Sequence, residues 1–213
     1  MLYDIKLAKK IAKSLLQINA IILQPNNPFK WAAGWNSPIY CDNRRTLSYP
    51  EIRNQIKIGL ASIIRDHYKD VDVIGGVATA GIPHGALVAD ELGLPFIYVR
   101  SRAKEHGKQN QIEGDFKKTQ KIVLIEDLIS SGKSSLEAAK TLKKAGMNVK
   151  GVISIFTYGF NDASENFRNT NLEYISLCNY NTLLTEATKE NYIHQNDLPI
   201  LKEWRKNPAI WKQ

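Results

Sequence analysis

The sequence predicts an α/β fold built on a doubly wound, mostly parallel sheet. Between residues 71 and 160, apolar runs typical of buried strands alternate with segments whose apolar residues recur at helical spacing. The 213 residues contain no internal repeat and no low-complexity linker, which favours a single domain. We expect the two ends, which lie outside this alternation, to pack together as a small cap over the carboxyl edge of the sheet.

Each element has its own local signal. Apolar residues at helical spacing predict helices, and runs of branched or aromatic residues bounded by turn residues predict strands. The predicted helices are 4–22, 51–68, 85–92, one that follows Ser135, and a largely helical segment over 183–213. The predicted strands are 71–77, 95–100, 122–125, 149–157 and 172–177. The remaining segments are an aromatic hairpin and loop over 29–51 and a long polar connection over 101–120.

The composition favours a globular protein that handles an anionic small molecule. Hydrophobic residues make up 43% and charged residues 23% of the chain, and the formal net charge is +8. The lysines are spread over helix faces and no nucleic-acid-binding motif is present, so a phosphorylated small molecule is the expected partner. No apolar run approaches the ~18 residues needed to span a membrane. The absence of a signal-peptide core, with two cysteines that form no metal or disulfide pattern, predicts a cytoplasmic protein.

The stretch from Lys121 to Gly146 carries the strongest functional signal. A buried strand is followed by Glu126 and Asp127 and then by small residues from Ser130 to Ser135, before a helix begins. Backbone N–H groups in such a loop, together with the helix dipole, favour an anion such as a phosphate. Carboxylates repel phosphate, so the two acids should face another part of the ligand, such as sugar hydroxyls or a cationic centre.

Two other interpretations of this stretch are weaker. The sequence Gly132-Lys133-Ser134 matches the end of the nucleotide-binding GxxxxGK[ST] loop, but Asp127 stands where that pattern requires its first glycine. An ordinary strand–turn–helix crossover with serines capping the helix is common. It does not explain two carboxylates at the carboxyl end of a strand, where open α/β sheets bind ligands.

The segment EDLISSGKSS resembles the phosphoribosyl-pyrophosphate (PRPP) signature of the type I phosphoribosyltransferases. The resemblance implies that the two acids contact the ribose hydroxyls of PRPP and that the loop after them holds its 5′-phosphate. The PRPP-binding residues implied in this way are Glu126, Asp127, Leu128, Ile129, Ser130, Ser131, Gly132, Lys133 and Ser134. Asp127 is also implied to be catalytic.

A second turn, from Gly75 to Gly85, also joins a strand to a helix. Its glycines permit close approach or positive φ, which suits a pyrophosphate cradle, although packing alone would account for them equally well. By resemblance, this loop holds pyrophosphate. One branch of the family carries a lysine at the position of Ala80. That positive charge is absent from this chain, so backbone amides and magnesium would have to contribute more to holding pyrophosphate.

The connection from Val99 to Asp115 is the second strong signal. It is long, polar and cationic, with Gly107 and Gly114 as pivots, which is typical of a lid but also of a solvated loop. Its pattern RxxAKxHG resembles the catalytic loop of the orotate phosphoribosyltransferases, which reaches into the neighbouring subunit's site. The resemblance implies a homodimer, and it implies that PRPP is bound by Arg100, Lys104 and His106, of which Lys104 and His106 are catalytic.

The segment from Trp31 to Arg45 is similar to the N-terminal hood of the same family, in the form FTWxSGxxSPIYCDNR. An aromatic hairpin by itself would be interpreted as core packing. In the family, this segment separates orotate enzymes from their purine relatives. The C-terminal tryptophans, Trp204 and Trp211, are expected to anchor the hood.

Several further positions bear on how the substrates would be bound. Ser130 matches the family position that contacts both PRPP and orotate. Some members carry a lysine for orotate at the position of Ala32 and an arginine near that of Tyr158. Lys30, Arg44 and backbone amides are therefore alternative candidates for holding the orotate carboxylate. Lys133 stands where a small residue is usual.

Together these signals predict an orotate phosphoribosyltransferase, which joins orotate to PRPP to give orotidine 5′-monophosphate and pyrophosphate in pyrimidine (UMP) biosynthesis. We expect a single domain over 1–213, with a hood formed by about 1–48 and 180–213 and a core over about 49–179. Mg²⁺ is the expected cofactor, carried by PRPP without a direct protein ligand. A purine-type phosphoribosyltransferase and a non-catalytic PRPP-sensing regulator on the same fold are the alternatives. No nucleic acid or membrane partner is expected.

Overall fold

The computed structural model describes residues 1–31, 34–101 and 111–212. Its α-helices are α1 (Ile5–Gln17), α2 (Pro50–His67), α3 (Gly81–Leu92), α4 (Lys133–Lys144), α5 (Asn161–Asn169), α6 (Tyr180–Lys189) and α7 (Leu198–Lys206). Its strands are β1 (Ile21–Leu23), β2 (Phe29–Lys30), β3 (Asn36–Ser37), β4 (Ile39–Cys41), β5 (Val73–Val77), β6 (Phe96–Val99), β7 (Ile112–Glu113), β8 (Lys121–Ile129), β9 (Asn148–Thr157) and β10 (Tyr174–Asn179). Two 3-10 helices cover Asn43–Ser48 and Gln195–Asp197.

The central sheet confirms the predicted fold class. Its strand order is β10-β9-β8-β5-β6-β7, and every neighbouring pair is parallel except β6 with β7. From β5 the chain crosses to β6 on one side and later to β8 on the other. The strand order therefore reverses at β5 and β8, and the carboxyl ends of two such strands form the crevice where open α/β sheets bind ligands.

Helices cover both faces of this sheet, and β8 shows how the two layers of core are formed. Val123 and Ile125 pack in the cluster that contains residues of α2 and α3, whereas Ile122 and Leu124 pack in the cluster beneath α4. Successive side chains of a strand point to opposite faces. A strand covered on both faces needs apolar residues at every position, which is why the sequence shows a continuous apolar run here.

The two ends of the chain pack together, as predicted. In the N-terminal segment, β1 pairs with β4 and β2 pairs with β3, both antiparallel. Trp204 of α7 is fully buried, and its ring lies 5.7 Å from Trp31 and 5.6 Å from Tyr158, measured between ring centroids. Lys212 donates a hydrogen bond to the carbonyl of Pro25 at 3.2 Å. Aromatic packing between the first and last segments thus forms the hood, with Trp204 as its anchor.

Two predicted helix boundaries were wrong. The first helix ends at Gln17 instead of residue 22, because Asn19 adopts a left-handed conformation (φ 53°) and the next residues form β1. The third helix begins at Gly81, four residues before the predicted start. A Cβ on Gly81 would collide with the carbonyl oxygen of Ile125, so this glycine lets α3 approach β8 closely.

The C-terminal half also differs from expectation. The polar segment after β9 contains α5, which buries little more than Ala163 and Phe167 and so shows a weak apolar pattern in the sequence. The expected helical segment over 183–213 is two helices, α6 and α7, with Asn191 in a left-handed conformation (φ 59°) between them. In the described ranges, none of the helices combines the length and apolarity that crossing a membrane would require.

Candidate active site

The two acids lie within β8, not after it as the sequence suggested. Pairing between β8 and β9 continues through Ile129, which lies opposite Thr157, so the strand extends beyond the apolar run and includes Glu126 and Asp127. Consecutive residues of a strand point to opposite faces, and the two carboxyl groups accordingly have different surroundings.

Glu126 is buried, with 5% of its surface exposed, and it is bonded to the helix that follows. Its Oε2 accepts hydrogen bonds from the hydroxyls of Ser134 and Ser135, each at 3.1 Å, and its Oε1 accepts one from the N–H of Asp127 at 3.1 Å. Burial, reinforced by the neighbouring Asp127 carboxylate, raises the pKa of Glu126 from 4.5 to about 8. At neutral pH this carboxyl group therefore holds a proton.

Asp127 is half-buried and faces the hood. Burial raises its pKa, while hydrogen bonds from Glu126 and from backbone N–H groups, and the positive charge of Arg44, act in the opposite direction. Two carboxyl groups this close do not both ionise readily. The larger upward shift of the pKa is that of Glu126, so we assign the proton of the pair to Glu126 and the negative charge to Asp127.

The carbonyl oxygen of Asp127 is held by the hood. Asn43, in the first turn of the 3-10 helix that follows β4, donates a hydrogen bond from its Nδ2 to this oxygen at 2.8 Å. Asn43 is fully buried. Asn43 belongs to the hood motif SPIYCDNR, but sequence analysis assigned it no role, because a contact between residues 84 positions apart cannot be inferred from local spacing.

The predicted phosphate loop is shorter than expected. The helix α4 begins at Lys133, so the loop is Ser130 to Gly132, and Ser134 and Ser135 belong to the first helical turn. Gly132 adopts a left-handed conformation (φ 77°), and a Cβ there would lie 2.5 Å from the ring of Phe167. The first N–H groups of a helix have no partner within the helix, so the start of α4 can receive an anion.

The side chains of this loop differ in what they can contact. Lys133 is exposed, and Ser130 and Ser131 are half-buried. Ile129 is fully buried in the core, and its carbonyl accepts hydrogen bonds from the Thr157 hydroxyl at 3.1 Å and from the N–H of Tyr158 at 3.2 Å. A ligand could therefore meet Ile129 only through its backbone.

The predicted glycine-rich cradle is different in the structure. Gly75 and Gly76 lie inside β5, where a Cβ on Gly75 would meet the side chains of Ile122 and Leu124 at 2.8 and 2.9 Å. The turn between β5 and α3 is reduced to residues 78–80, and the peptide bond between Ala78 and Thr79 is cis. Packing thus accounts for these glycines, and the short turn lies at the same edge of the sheet as Asp127.

Arg100 follows β6 and so also lies at the carboxyl edge. Its N–H donates to the carbonyl of Gln111 at 2.8 Å, and its Nη1 lies 3.6 Å from Oε1 of Glu113. Glu113 belongs to β7, so the predicted unstructured connection contains a short edge strand. Lys104 and His106 lie outside the described residues.

Tyr158, which follows β9 directly, lies near enough to Asp127 to feel its charge, and it packs against Trp31 of the hood. Tyr158 is 2% exposed, and its ring centroid lies 5.6 Å from that of Trp31. Of the two cations considered for orotate, Arg44 acts electrostatically on Asp127, whereas Lys30 is exposed on β2. Ala32 lies outside the described residues.

A groove of about 890 Å³ lies between α4 and α5, but it is separate from the acid pair. It begins at Ser131 and Lys133 and runs along the outer face of α4, and neither Glu126 nor Asp127 lines it. In the part of the chain that the structure describes, no group of three His, Cys, Asp or Glu side chains is placed to hold a metal ion.

Comparison with known proteins agrees with this geometry. The model of the phosphoribosyl transferase domain family matches residues 48–174, more than half of the 213 residues. That match contains the acid pair, the phosphate loop and the β5–α3 turn. A solved structure of orotate phosphoribosyltransferase from Aeropyrum pernix is 26% identical, with a TM-score of 0.75, and the alignment covers 86% of this chain and 99% of that one.

Two sequence relatives extend the match over nearly the whole chain. An orotate phosphoribosyltransferase from Cytophaga hutchinsonii is 56% identical over 205 residues, which cover 96% of this chain and 98% of that protein. One from Enterococcus faecalis is 53% identical over 206 residues, which cover 97% of this chain and 98% of that protein. At this identity and coverage, the chain belongs to the orotate phosphoribosyltransferases, within the phosphoribosyltransferase family.

Proposed function

We propose that this protein transfers the phosphoribosyl group of PRPP to orotate, giving orotidine 5′-monophosphate and pyrophosphate in pyrimidine biosynthesis. The observation that carries the proposal is the position of Asp127 at the end of β8, next to a left-handed Gly132 loop and the start of α4. This arrangement offers a carboxylate and an anion site side by side, as a phosphorylated sugar requires. The family membership supplies the identity of the acceptor base.

The 5′-phosphate of PRPP would bind at the loop from Ser130 to Gly132 and the first turn of α4. Unpaired N–H groups at the helix start and the positive end of the helix dipole favour an anion there. The hydroxyl of Ser134 is already bonded to Glu126, so the phosphate would compete with that carboxyl for it. Ser130 and Ser131 have no such prior bond from their side chains among the described residues, and they are the better phosphate donors.

The two acids would have different roles in the transfer of the sugar. Transfer of this kind passes through a cationic, oxocarbenium-like sugar while pyrophosphate departs. The ionised Asp127 would accept hydrogen bonds from ribose hydroxyls and stabilise the positive charge, and burial strengthens that effect because the local dielectric is low. Glu126, protonated and hydrogen-bonded to serines of α4, would fix the end of β8 relative to the start of α4.

The leaving pyrophosphate would be neutralised by Arg100, with Lys104 and His106 from the loop that follows. Arg100 is supported in this role by its position at the carboxyl edge of the sheet, beside the β5–α3 turn. We infer that the connection 101–115 acts as a lid that excludes water from the reacting sugar. We also infer that it serves the partner subunit's site, which makes the active form a homodimer in the cytoplasm.

Magnesium fits the donor set as an ion carried by PRPP. Mg²⁺ usually keeps several waters and binds through one or two carboxylates together with substrate phosphates. Glu126 is protonated and engaged in three hydrogen bonds, and Asp127 is assigned to the ribose hydroxyls, so the ion would be held by PRPP without a direct protein ligand. Bound in this way, the ion would offset charge on the departing pyrophosphate.

The direct test is to mix the purified protein with orotate and PRPP and follow the loss of orotate absorbance. We expect a loss that requires PRPP and Mg²⁺ together and that stops when a chelator removes the ion. If adenine or another purine is consumed and orotate is not, the proposed acceptor is wrong. Binding of PRPP without any transfer to orotate would instead favour the sensor alternative.

Asp127→Asn should lower kcat by about a hundredfold, because it removes the negative charge that stabilises the cationic sugar. The matched control is Asp72→Asn, since Asp72 accepts a hydrogen bond from the N–H of Lys121 at 2.7 Å, at the opposite end of β8. Steady-state rates and melting temperatures of both variants give the comparison. A normal rate for Asp127→Asn would mean that this acid is structural.

Lys104→Ala should lower turnover strongly and leave the fold intact, with Lys117→Ala, two residues beyond the proposed lid, as its control. If the lid serves the partner's site, mixing Lys104→Ala chains with Asp127→Asn chains should recover activity. Random exchange of subunits would restore about a quarter of the wild-type rate, since half of the dimers hold one complete site. No recovery after proven subunit exchange would show that each lid serves its own subunit.

Glu126 makes stability depend on pH. The folded protein keeps this proton up to about pH 8, whereas a free glutamate releases it near 4.5. The native state therefore binds more protons in that window, and the free energy of unfolding falls as pH rises through it. Glu126→Gln imitates the protonated form and should make the decline shallower in urea titrations at several pH values. Glu137→Gln, an exposed change on α4, should keep the wild-type slope, and an equal slope for both variants would contradict the assignment.

A further inference from the structure

Asn43 is the direct connection between the hood and the acid pair. Its Nδ2 donates to the carbonyl oxygen of Asp127 at 2.8 Å, and its side chain has no exposed surface. Its own carbonyl accepts a hydrogen bond from the Thr46 hydroxyl at 2.6 Å, which fixes the turn on which it sits. The bond to Asp127 therefore joins two rigid parts of the molecule at the residue that faces the sugar.

Only the nitrogen of the Asn43 side-chain amide is hydrogen-bonded, which distinguishes this residue from an ordinary buried asparagine. Its Oδ1 is buried and has no hydrogen-bond partner in the part of the chain that the structure describes. Buried polar atoms are nearly always paired, and leaving one unpaired destabilises the fold. A residue kept for stability alone would not carry this cost, whereas sites that serve function often do.

The same turn places further groups around Asp127. Arg44, whose Nε donates to Oδ1 of Asp42 at 2.6 Å, carries a positive charge that favours ionised Asp127. On the other side, His84 of α3 lies 3.5 Å from the Thr46 hydroxyl, and burial lowers its pKa to about 4, so it is neutral. Among the described residues, the charged neighbours of Asn43 include Asp42, Arg44 and Arg45 on its own turn and Asp127 on β8, whereas burial keeps Glu126 and Cys41 uncharged.

We propose that Asn43 is a positioning residue for the transfer reaction, which holds the backbone of Asp127 so that its carboxylate meets the sugar of PRPP. This inference rests on the proposed function. A carboxylate must be fixed in place to stabilise charge that develops at one carbon, and a displacement of about 1 Å is enough to cost about a hundredfold in rate. The hood thereby controls the sugar side of the site as well as the base side.

The test uses Asn43→Ala and the isosteric Asn43→Asp. We expect Asn43→Ala to lower kcat by about tenfold to a hundredfold and to raise the KM for PRPP, with the KM for orotate unchanged. In Asn43→Asp an ionised carboxylate would face the Asp127 carbonyl and could not donate. Protonation at lower pH restores a donor, so the ratio of variant to wild-type kcat/KM should rise as pH falls. A merely structural role would not produce this pH dependence.

Ser176→Ala is the control, because it removes a buried hydrogen bond of 2.7 Å to Ser154 without touching the acid pair. The proposal is overturned if Asn43→Ala loses only thermal stability, as the control does, with kcat and the KM for PRPP unchanged. It is also overturned if the Asn43→Asp ratio is independent of pH. In parallel, the affinity for PRPP in the presence of Mg²⁺ is measured by calorimetry, and it should be weaker in Asn43→Ala. If the wild type binds PRPP but does not convert orotate, the proposed function fails, and this binding comparison still decides the role of Asn43.

Discussion

The structure of the site depends on one constraint, which is that β8 stays a strand through both acids. Hydrogen bonding to β9 extends to Ile129, so Glu126 and Asp127 must point to opposite faces of the sheet. The Glu126 carboxyl group then meets the first turn of α4, and the backbone carbonyl of Asp127 is bonded to the hood.

This division resolves the electrostatic problem that two adjacent acids create in a buried place. Burial disfavours the charged form of each, and each charge disfavours the other. Burial and the neighbouring Asp127 charge raise the pKa of Glu126, and the hydrogen bond from the Ser135 hydroxyl, which acts in the opposite direction, does not offset them. Arg44 provides positive charge on the opposite side, near Asp127. The placement of donors and of charge thus decides which of two similar groups is ionised.

The sequence predicted the order of elements well and their limits less well. The strand, acid pair, small loop and helix between Lys121 and Gly146 were recognisable because the apolar run, the turn residues and the helical spacing are all local. The extent of β8 was not, since it depends on pairing with β9, and polar residues at a strand end resemble a loop. For α5, tertiary packing of Ala163 and Phe167 replaces the apolar stripe that a sequence pattern requires.

The glycine-rich turn and Asn43 both show that a sequence pattern does not reveal tertiary contacts. Glycines at 75, 76 and 81 looked like a phosphate cradle, but two lie in β5 and the third admits α3 to the surface of β8. Spacing in a sequence cannot distinguish a glycine needed by a ligand from one needed by a neighbouring backbone, because both require the same missing Cβ. Asn43 was overlooked in the opposite way: it lies in the recognised hood motif, but its partner is 84 residues away, so the motif did not reveal its contact.

The hood therefore does more than cover the site. Its aromatic cluster around Trp204 makes the surroundings of Asp127 less polar, which strengthens any interaction of that carboxylate with a developing positive charge. The same burial would drive Asp127 toward its neutral form, and a neutral acid could not stabilise that charge. A hood of this kind is useful only if it also supplies the means to keep Asp127 ionised and in place. The turn that follows β4 contributes to both: the positive charge of Arg44 adds to the hydrogen bonds from Glu126 and from backbone N–H groups that favour ionised Asp127, and Asn43 holds its backbone carbonyl.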